Sequence, residues 1–256
     1  MGLLDDIVAA KRREIERLRA APTPPARARL GVDPMDVLRR PDGEPLRLIA
    51  EIKRRSPSAG ALSTALSVVE RARAYVAGGA VAVSVLTDGE FFGGSYDDLS
   101  VASAAVHAPT LCKDFVLDEA QLDHAAAAGA SLALLIVRLL DDAALARLIT
   151  AARARSLAPL VEVTDEAELE RALSAGARLV GVNARDLDTL AIDPDRARRV
   201  LDQVPRGRVA VHLSGLSTPE HVRAVAAGRA DAALAGEALM RADDPGPLLA
   251  RFVGAC

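Results

Sequence analysis

An acidic and a basic residue lie two positions apart at the end of an apolar segment, within the stretch LIAEIKRRSPSAG at 48–60. Alternate residues of a β-strand point to the same side, so Glu51 and Lys53 are expected to share one face. Burying a charge is costly unless it is paired or used in function. The spacing therefore predicts that both side chains point into an active site, where each neutralises the other.

Polar residues stand at the same relative place in other apolar segments. They follow strand-like runs and comprise Lys113 in TLCKDF, Glu162 in PLVEV, Asn183 and Arg185 in VNARDL, and Ser214 in VHLSGL. In a barrel of parallel strands these ends meet at one mouth, where barrel enzymes carry out catalysis. The acids and lysines could transfer protons to and from a substrate there. Gly215 and Gly236 follow the last two runs, where such barrels bind phosphate.

The elements that must position these residues repeat along the chain. Eight strand-like runs occur, namely RLIAEI, AVAVSVL, TLCKDF, LALLIV, PLVEV, LVGVNA, VAVHLSG and DAALAG, with Ala- and Leu-rich helical patterns between them. Continuous apolar runs are typical of parallel strands covered on both faces. Eight strand–helix units in a chain of this length predict a (β/α)8 barrel, or TIM barrel. An open doubly wound sheet is the alternative, but no G-x-G-x-x-G motif follows the first run to support it.

The first predicted strand is preceded by a helical extension. Leu4, Ile7, Val8 and Ile15 recur at helical spacing, which predicts an amphipathic helix rather than a signal peptide in the first 20 residues. A Pro-rich linker over 21–34 and a short helix at MDVLRR follow. We predict that 1–45 form an extension over the mouth of the barrel, that 46–256 form the barrel, and that the two make a single domain.

Composition narrows the classes of function. A net charge of -3 argues against nonspecific binding to nucleic acid, and no apolar run approaches the roughly 18 residues of a membrane-spanning helix. The two cysteines, Cys112 and Cys256, are too few for a disulfide framework. We therefore expect a cytoplasmic enzyme with a small-molecule substrate and without a membrane or nucleic-acid partner. It is expected to be a monomer, with a dimer as the alternative.

Read in order, these segments resemble the indole-3-glycerol-phosphate synthase family of tryptophan biosynthesis. The resemblance covers nearly the whole chain and rests most strongly on EIKRRSPS, FFGGS and CKDF. It implies a (β/α)8 barrel whose mouth is capped by an N-terminal helical segment, a phosphorylated substrate, and no metal or organic cofactor. The implied reaction converts 1-(2-carboxyphenylamino)-1-deoxyribulose 5-phosphate to indole-3-glycerol phosphate, with release of carbon dioxide and water.

The resemblance also implies three groups of site residues. The catalytic positions are Glu51, Lys53, Lys113, Glu162, Asn183 and Ser214. The phosphate contacts are Lys53, Ser56, Arg185, Gly215, Gly236 and, through its backbone, Glu237. The anthranilate ring pocket is formed by Pro57, Phe92, Phe115, Leu187, Leu190 and Leu216. Lys113 is expected to be the acid of ring closure and Glu162 a base, whereas Lys53 could be a second acid or an anion-binding group.

One position departs from the family pattern. The family usually has Glu directly before the Ser-Gly of the seventh strand, but this chain has Leu213, preceded by His212. Strand alternation predicts that Leu213 points inward and that His212 points toward the helices. A local bulge at Gly215 that turns His212 inward is the alternative. This departure puts in question whether the catalytic set is complete. It does not put the fold in question.

The departure keeps other functions open. A related member of the family could cyclise a different arylamino ribulose phosphate, with Leu213 reshaping the pocket. A barrel that binds a ligand or a partner enzyme without catalysis is a second alternative, which the retained Lys53, Lys113 and Glu162 disfavour. A phosphoribosylanthranilate isomerase is a third, but that chemistry would need Cys and Asp where Glu51, Lys53 and Glu162 stand.

Overall fold

Eight parallel strands close into a barrel, so the predicted (β/α)8 architecture is confirmed. The computed structural model describes residues 2–22, 25, 31–57 and 60–256 of the chain. Residues 23–24 and 26–30 of the predicted linker, and 58–59 of the turn after the first strand, lie outside the described residues. The strands in chain order are β1 (Arg47–Ile52), the hairpin of β2 (Arg55–Ser56) and β3 (Gly60–Ala61), and then β4 (Ala82–Leu86), β5 (Thr110–Lys113), β6 (Leu132–Ile136), β7 (Ala158–Val163), β8 (Leu179–Asn183), β9 (Val209–Leu213) and β10 (Ala232–Ala235). The barrel contains β1 and β4 to β10, and it closes where β10 pairs with β1.

Helices alternate with the barrel strands and surround them. Two helices, α1 (Leu3–Ala20) and α2 (Pro34–Leu38), precede the barrel. The others are α3 (Val68–Ala77), α4 (Tyr96–Ala105), α5 (Glu119–Ala127), α6 (Asp142–Ala154), α7 (Glu166–Ser174), α8 (Pro194–Gln203), α9 (Pro219–Ala226), α10 (Glu237–Arg241) and α11 (Gly246–Val253). A 3₁₀ turn at Val137–Leu139 follows β6. None of the helices described is both long and apolar enough to cross a membrane.

Side-chain caps fix where several of the helices begin. Asp165 accepts a hydrogen bond from the Glu168 amide at 2.8 Å and starts α7. Thr218 caps α9, whose first residue is Pro219. Such caps satisfy N–H groups that have no partner within the helix. They also end each loop at a defined place, which fixes the short segments between the strand ends and the helices.

The core has an inner layer inside the barrel and an outer layer beneath the helices. Both consist mainly of Leu, Val, Ile and Ala, because aromatic residues make up only 2% of the chain. Leu213 belongs to the inner layer with Val211. His212 pairs in register with Val182 and Ala233, which belong to the outer layer. The inward direction of Leu213 and the outward direction of His212 are therefore confirmed.

The N-terminal segment contacts both ends of the barrel. Leu3, Leu4 and Ile7 of α1 line a cavity at the carboxyl ends of the strands. Leu38 of α2 is fully buried among inner-layer residues, and Met35 lines a recess with the first residues of β7 and β8 at the opposite end. The sequence predicted coverage of the mouth only. A second helix at the amino-terminal end of the strands follows from the need to cover the apolar residues that begin them.

Candidate active site

A cavity of about 530 Å³ opens at the carboxyl ends of the barrel strands. It brings together every site residue that the sequence predicted. They are Glu51, Lys53, Ser56, Pro57, Phe92, Lys113, Phe115, Glu162, Asn183, Arg185, Leu187, Leu190, Ser214, Gly215, Leu216, Gly236 and Glu237. Residues that are far apart in the chain converge here because parallel strands place their carboxyl ends on one face.

Glu51 and Lys53 form a close ion pair at the end of β1. Lys53 Nζ lies 2.8 Å from Glu51 Oε1, and the carboxylate is buried. Burial alone would raise the pKa of Glu51, but the positive charges of Lys53 and Lys113 lower it below its ordinary value. Glu51 therefore stays ionised. A strand can end in an acid and a base because each compensates the other in a cavity that a substrate can enter.

Gly236 makes room for the Glu51 carboxylate. A side-chain carbon at this position would lie 2.5 Å from Glu51 Oε1 and 3.2 Å from Glu51 Cβ. Any larger residue at the end of β10 would displace the carboxylate from Lys53. The glycine thus has a steric role in addition to its place at the start of α10.

Lys113, Glu162 and Asn183 form a second polar group across the cavity. Asn183 Nδ2 donates a hydrogen bond of 2.9 Å to Glu162 Oε1, and the Arg185 amide donates to Asn183 Oδ1 at 2.9 Å. Lys113 Nζ lies 3.5 Å from Glu162 Oε2. Within the described part of the chain, Oε2 has no hydrogen-bond partner. One carboxylate oxygen is therefore fixed in place while the other is available to accept a proton.

The loop after β9 turns sharply beside the start of α10. Ser214 and Gly215 both have positive φ angles, of 70° and 84°. A left-handed conformation is unfavourable for serine, and the ring of His212 supports it, with Nε2 placed 2.9 Å from the Ser214 carbonyl oxygen. Burial lowers the pKa of His212 to about 4, so the ring is neutral and donates this bond from Nε2–H.

Arg185 brings a positive charge to the same side of the cavity. Its Nη1 donates to the Leu190 carbonyl at 2.9 Å, and its Nη2 lies 3.8 Å from Glu237 Oε2. Glu237 also pairs with Arg241 at 3.0 Å. The first backbone N–H groups of a helix have no intrahelical acceptor. The start of α10, the Ser214–Gly215 turn and Arg185 together bring hydrogen-bond donors that an anion can use to one side of the cavity, where Glu237 pairs with Arg185 and Arg241.

Apolar side chains form the remaining wall. The rings of Phe92 and Phe115 lie 5.9 Å apart between centroids at an angle of 38°. Leu213, which was predicted to point inward, belongs to this lining, as do Leu4 and Ile7 of the helix that was predicted to cover the mouth. Sequence reasoning missed several residues that complete the wall and the floor of the cavity, which are Leu3, Leu86, Leu134, Ile136, Ile192, Leu234 and Ala238. It also missed the polar Asp114, Ser217 and Arg241. Strand alternation could have found Leu134 and Ile136, but the α1 residues depend on how that helix docks.

The closed parallel barrel and the ionisable groups at its carboxyl-terminal face define a (β/α)8-barrel enzyme. A family model described as indole-3-glycerol phosphate synthase matches residues 4–251. The chain therefore belongs to the indole-3-glycerol phosphate synthase family, the decarboxylating cyclases of tryptophan biosynthesis, which are lyases.

Individual relatives match this chain over nearly their full lengths. The indole-3-glycerol phosphate synthase of Opitutus terrae is 47% identical over 267 residues, covering 97% of each chain. The enzyme of the same name from a Nocardioides species is 48% identical over 260 residues, covering 99% of each. A solved structure of 3-hexulose-6-phosphate synthase from Salmonella typhimurium superposes with a TM-score of 0.66 at 16% identity, covering 82% of this chain and 98% of that one. This last likeness shows the fold alone.

Proposed function

We propose that this cavity cyclises 1-(2-carboxyphenylamino)-1-deoxyribulose 5-phosphate to indole-3-glycerol phosphate, with loss of carbon dioxide and water. The observation that supports this most is the pairing of Lys113 with Glu162 beside the rings of Phe92 and Phe115. It sets an acid and a base next to an apolar wall that can hold an aryl ring. Purified protein supplied with this substrate is expected to release the fluorescent indole product.

Ring closure requires a proton donor at the substrate carbonyl. The ring carbon that carries the carboxyl group attacks the ribulose carbonyl carbon, a carbon–carbon bond forms, and the carbonyl oxygen takes a proton from Lys113 Nζ. Lys113 is suited to this step because its side chain, which is 18% exposed, lines the cavity with Nζ 3.5 Å from Glu162 Oε2. Carbon dioxide then leaves, and its bonding electrons restore the aromatic ring.

Dehydration requires a second acid and a base. The new hydroxyl is protonated and departs as water, and the methylene carbon next to the nitrogen loses a proton, so that the carbon–carbon double bond of the indole forms. Glu162 Oε2 is the proposed base, held by the Asn183 bond to the other oxygen. Lys53 is the proposed second acid, and its ion pair with Glu51 keeps it at the mouth of the cavity.

The anionic and aromatic ends of the substrate would occupy opposite walls. The phosphate would contact Lys53, Ser56, Arg185, the Ser214–Gly215 turn and the backbone at the start of α10. The aryl ring is placed against Phe92 and Phe115, with Pro57, Leu187, Leu190 and Leu216 around it. Fixing both ends would hold the reacting carbon atoms close together, which is a large source of rate enhancement.

Arg185→Met is expected to raise KM for the substrate about ten- to hundredfold, with a smaller change in kcat, because a hydrogen bond from a charged donor contributes about 1.5–3 kcal/mol. Steady-state kinetics measure this, and a crystal soaked in inorganic phosphate should hold the ion between the Ser214–Gly215 turn and α10. Arg206→Met is a matched control, since Arg206 is exposed beside the opposite end of the barrel. An unchanged KM, or phosphate bound elsewhere, would contradict the assignment.

A second candidate function follows from Leu213. This side chain is 1% exposed, pairs in register with Asn183 and Leu234, and presents an apolar surface to the cavity where the family usually has an acid. The pocket would then suit a related arylamino ribulose phosphate with an apolar ring substituent. A panel of ring-substituted substrates separates the two candidates, because the second requires a substituted compound to exceed the unsubstituted one in kcat/KM.

Leu213→Glu is expected to increase kcat on the unsubstituted substrate. The new carboxylate would lie beside Asn183 and could strengthen the polar network around the cavity lysines. A charge-assisted hydrogen bond gained in the transition state would contribute about 1.4 kcal/mol, or about tenfold in rate. His212→Ala is the comparison variant: its ring lies outside the barrel and reaches the site only through the Ser214 carbonyl, so kcat should stay close to the parent value and any loss should appear in KM. Loss of activity in Leu213→Glu, together with good parent turnover of a substituted substrate, would favour the second candidate.

We further propose that the enzyme acts in the cytoplasm, and as a monomer. One chain supplies all the residues of the cavity, so the site does not require a second copy. Each step of the proposed reaction is a proton transfer or a bond rearrangement that amino-acid side chains can assist. We therefore propose that it uses neither a metal nor an organic cofactor.

A further inference from the structure

Lys11 lies in the middle of α1 and is fully buried, although no step of the proposed reaction uses it. Its Nζ lies 2.6 Å from Asp114 Oδ1, 2.8 Å from Glu14 Oε2 and 3.0 Å from Asp88 Oδ2. Asp88 and Asp114 are themselves 1% exposed. Removing so many charges from water is costly unless the group is well paired. The cluster of Lys11, Glu14, Asp88 and Asp114 is therefore a specific arrangement, and its location indicates what it holds in place.

The two aspartates connect Lys11 to the aromatic wall of the active site. Asp88 Oδ1 accepts hydrogen bonds from the backbone amides of Phe91 and Phe92, at 2.7 and 3.1 Å. Asp114 Oδ1 accepts one from the amide of Phe115 at 2.8 Å. The same carboxylates that bind Lys11 thus fix the backbone from which Phe92 and Phe115 project into the cavity.

Asp114 also connects the cluster to the proposed catalytic lysine. It follows Lys113 directly in the chain, and its Oδ2 accepts a hydrogen bond from Thr87 Oγ1 at 2.6 Å. The Thr87 amide donates to the Lys113 carbonyl at 3.1 Å. The ends of β4 and β5 are tied together at this point, and Lys11 of α1 lies against both.

The charges of the cluster favour an ammonium ion at its centre. Burial alone would lower the pKa of Lys11, but Asp114, Asp88 and Glu14 raise it above the ordinary value of lysine. Burial and the charge of Asp114 raise the pKa of Glu14. A neutral side chain at position 11 would leave the two aspartates facing each other without a cation.

We propose that Lys11 is a positioning residue, which fixes Phe92, Phe115 and Lys113 in their working geometry through Asp88 and Asp114. This inference rests on the proposed function for what those three residues do. It gives the N-terminal helix a role in catalysis beyond covering the mouth, since α1 supplies the cation that holds two active-site segments together. A displacement of about 1 Å in such segments can lower the rate about 100-fold.

Lys11→Met retains most of the side-chain volume and removes the charge. It is expected to lower kcat/KM by about 10- to 100-fold. By hydrogen–deuterium exchange, segments 88–92 and 114–116 should become less protected while β7 and β8 remain as in the parent. Arg12→Met, next to it on the exposed face of α1, should change neither kinetics nor exchange. Thermal unfolding of each variant establishes that it is folded at the assay temperature.

Lys11→Met/Asp88→Asn provides a rescue. Asparagine keeps an oxygen for the Phe91 and Phe92 amides but removes one uncompensated charge, so the double variant should recover part of the lost kcat/KM. If Lys11→Met does not fold, comparing this double variant with Asp88→Asn gives the same kinetic test. Parent-like kinetics in a folded variant lacking Lys11 would overturn the proposal, as would loss of protection in α1 alone. An inactive parent enzyme would instead refute the proposed function, while the exchange measurement would still test Lys11.

Discussion

Lys113→Ala is expected to reduce kcat by about 10²- to 10⁴-fold, the usual contribution of a general acid. The lysine stands at the end of β5, with Nζ 3.5 Å from Glu162 and its side chain in the cavity beside Phe115. Both carbon dioxide release and indole formation should fail, because ring closure precedes each of them. The fold should survive, since the side chain is partly exposed and lies outside the two apolar layers.

Lys113→Arg separates proton donation from charge. Arginine keeps a positive charge, but its pKa is too high for it to release a proton readily, so this variant should remain nearly as inactive as Lys113→Ala. Fluorescence of the product measures indole formation, trapping of carbon dioxide measures decarboxylation, and thermal unfolding shows whether each variant is folded. Near-parent turnover in Lys113→Ala would show that the acid is misassigned. Substantial turnover in Lys113→Arg would show that only the charge is required.

Glu162→Gln is expected to lower the rate of indole formation by a similar factor of about 10² to 10⁴, for loss of a general base. Glutamine has nearly the shape of glutamate but cannot accept the proton at Oε2. Because the base acts after decarboxylation, a single turnover should release carbon dioxide faster than it forms indole. This order distinguishes the variant from Lys113→Ala, which should block both.

Glu166→Gln is the matched control for Glu162→Gln. Glu166 is exposed at the start of α7, directly after the same strand, and should tolerate the change without loss of rate. Equal losses of carbon dioxide and indole in Glu162→Gln would place Glu162 before decarboxylation. Parent-like rates of both would remove it from the mechanism.

Strand patterns predicted the barrel and the residues at its mouth because both depend on local rules. Eight apolar runs with capped helices between them leave few topologies, and the carboxyl ends of parallel strands share one face. Glu51, Lys113, Glu162 and Asn183 could therefore be grouped before any distances were known. Their mutual contacts could not be predicted, since the Lys113–Glu162 separation depends on barrel register and on rotamers.

The N-terminal segment was harder to predict for a physical reason. The position of α1 is set by long-range contacts with α5 and with Asp88 and Asp114, which follow β4 and β5, and no periodicity within the helix specifies them. A signal was nevertheless present, since Lys11 lies four residues from both Ile7 and Ile15 and thus on their face of the helix. A charge inside an apolar stripe predicts a buried partner, but Asp88 and Asp114 lie too far along the chain to be assigned from spacing. The position of α2 beneath the barrel had no comparable signal.

Leu213 was the one position where the sequence raised doubt about whether the catalytic set is complete, and the structure shows that no other acid among the described residues takes its place. It lies inside the barrel next to Asn183, so neither a bulge nor His212 restores an acid at this place. The proposed reaction must then proceed with the groups that remain, which are the Glu51–Lys53 pair and the Lys113–Glu162–Asn183 group. We expect these groups to suffice for every proton transfer.

Turnover of 1-(2-carboxyphenylamino)-1-deoxyribulose 5-phosphate by the purified parent protein tests this central claim most directly. The parent protein should release carbon dioxide and indole-3-glycerol phosphate in equal amounts over many turnovers per chain. The Lys113→Ala variant, assayed in the same way, sets the background rate, and the parent should exceed it about 10²- to 10⁴-fold. Parent activity no higher than that background would contradict the claim.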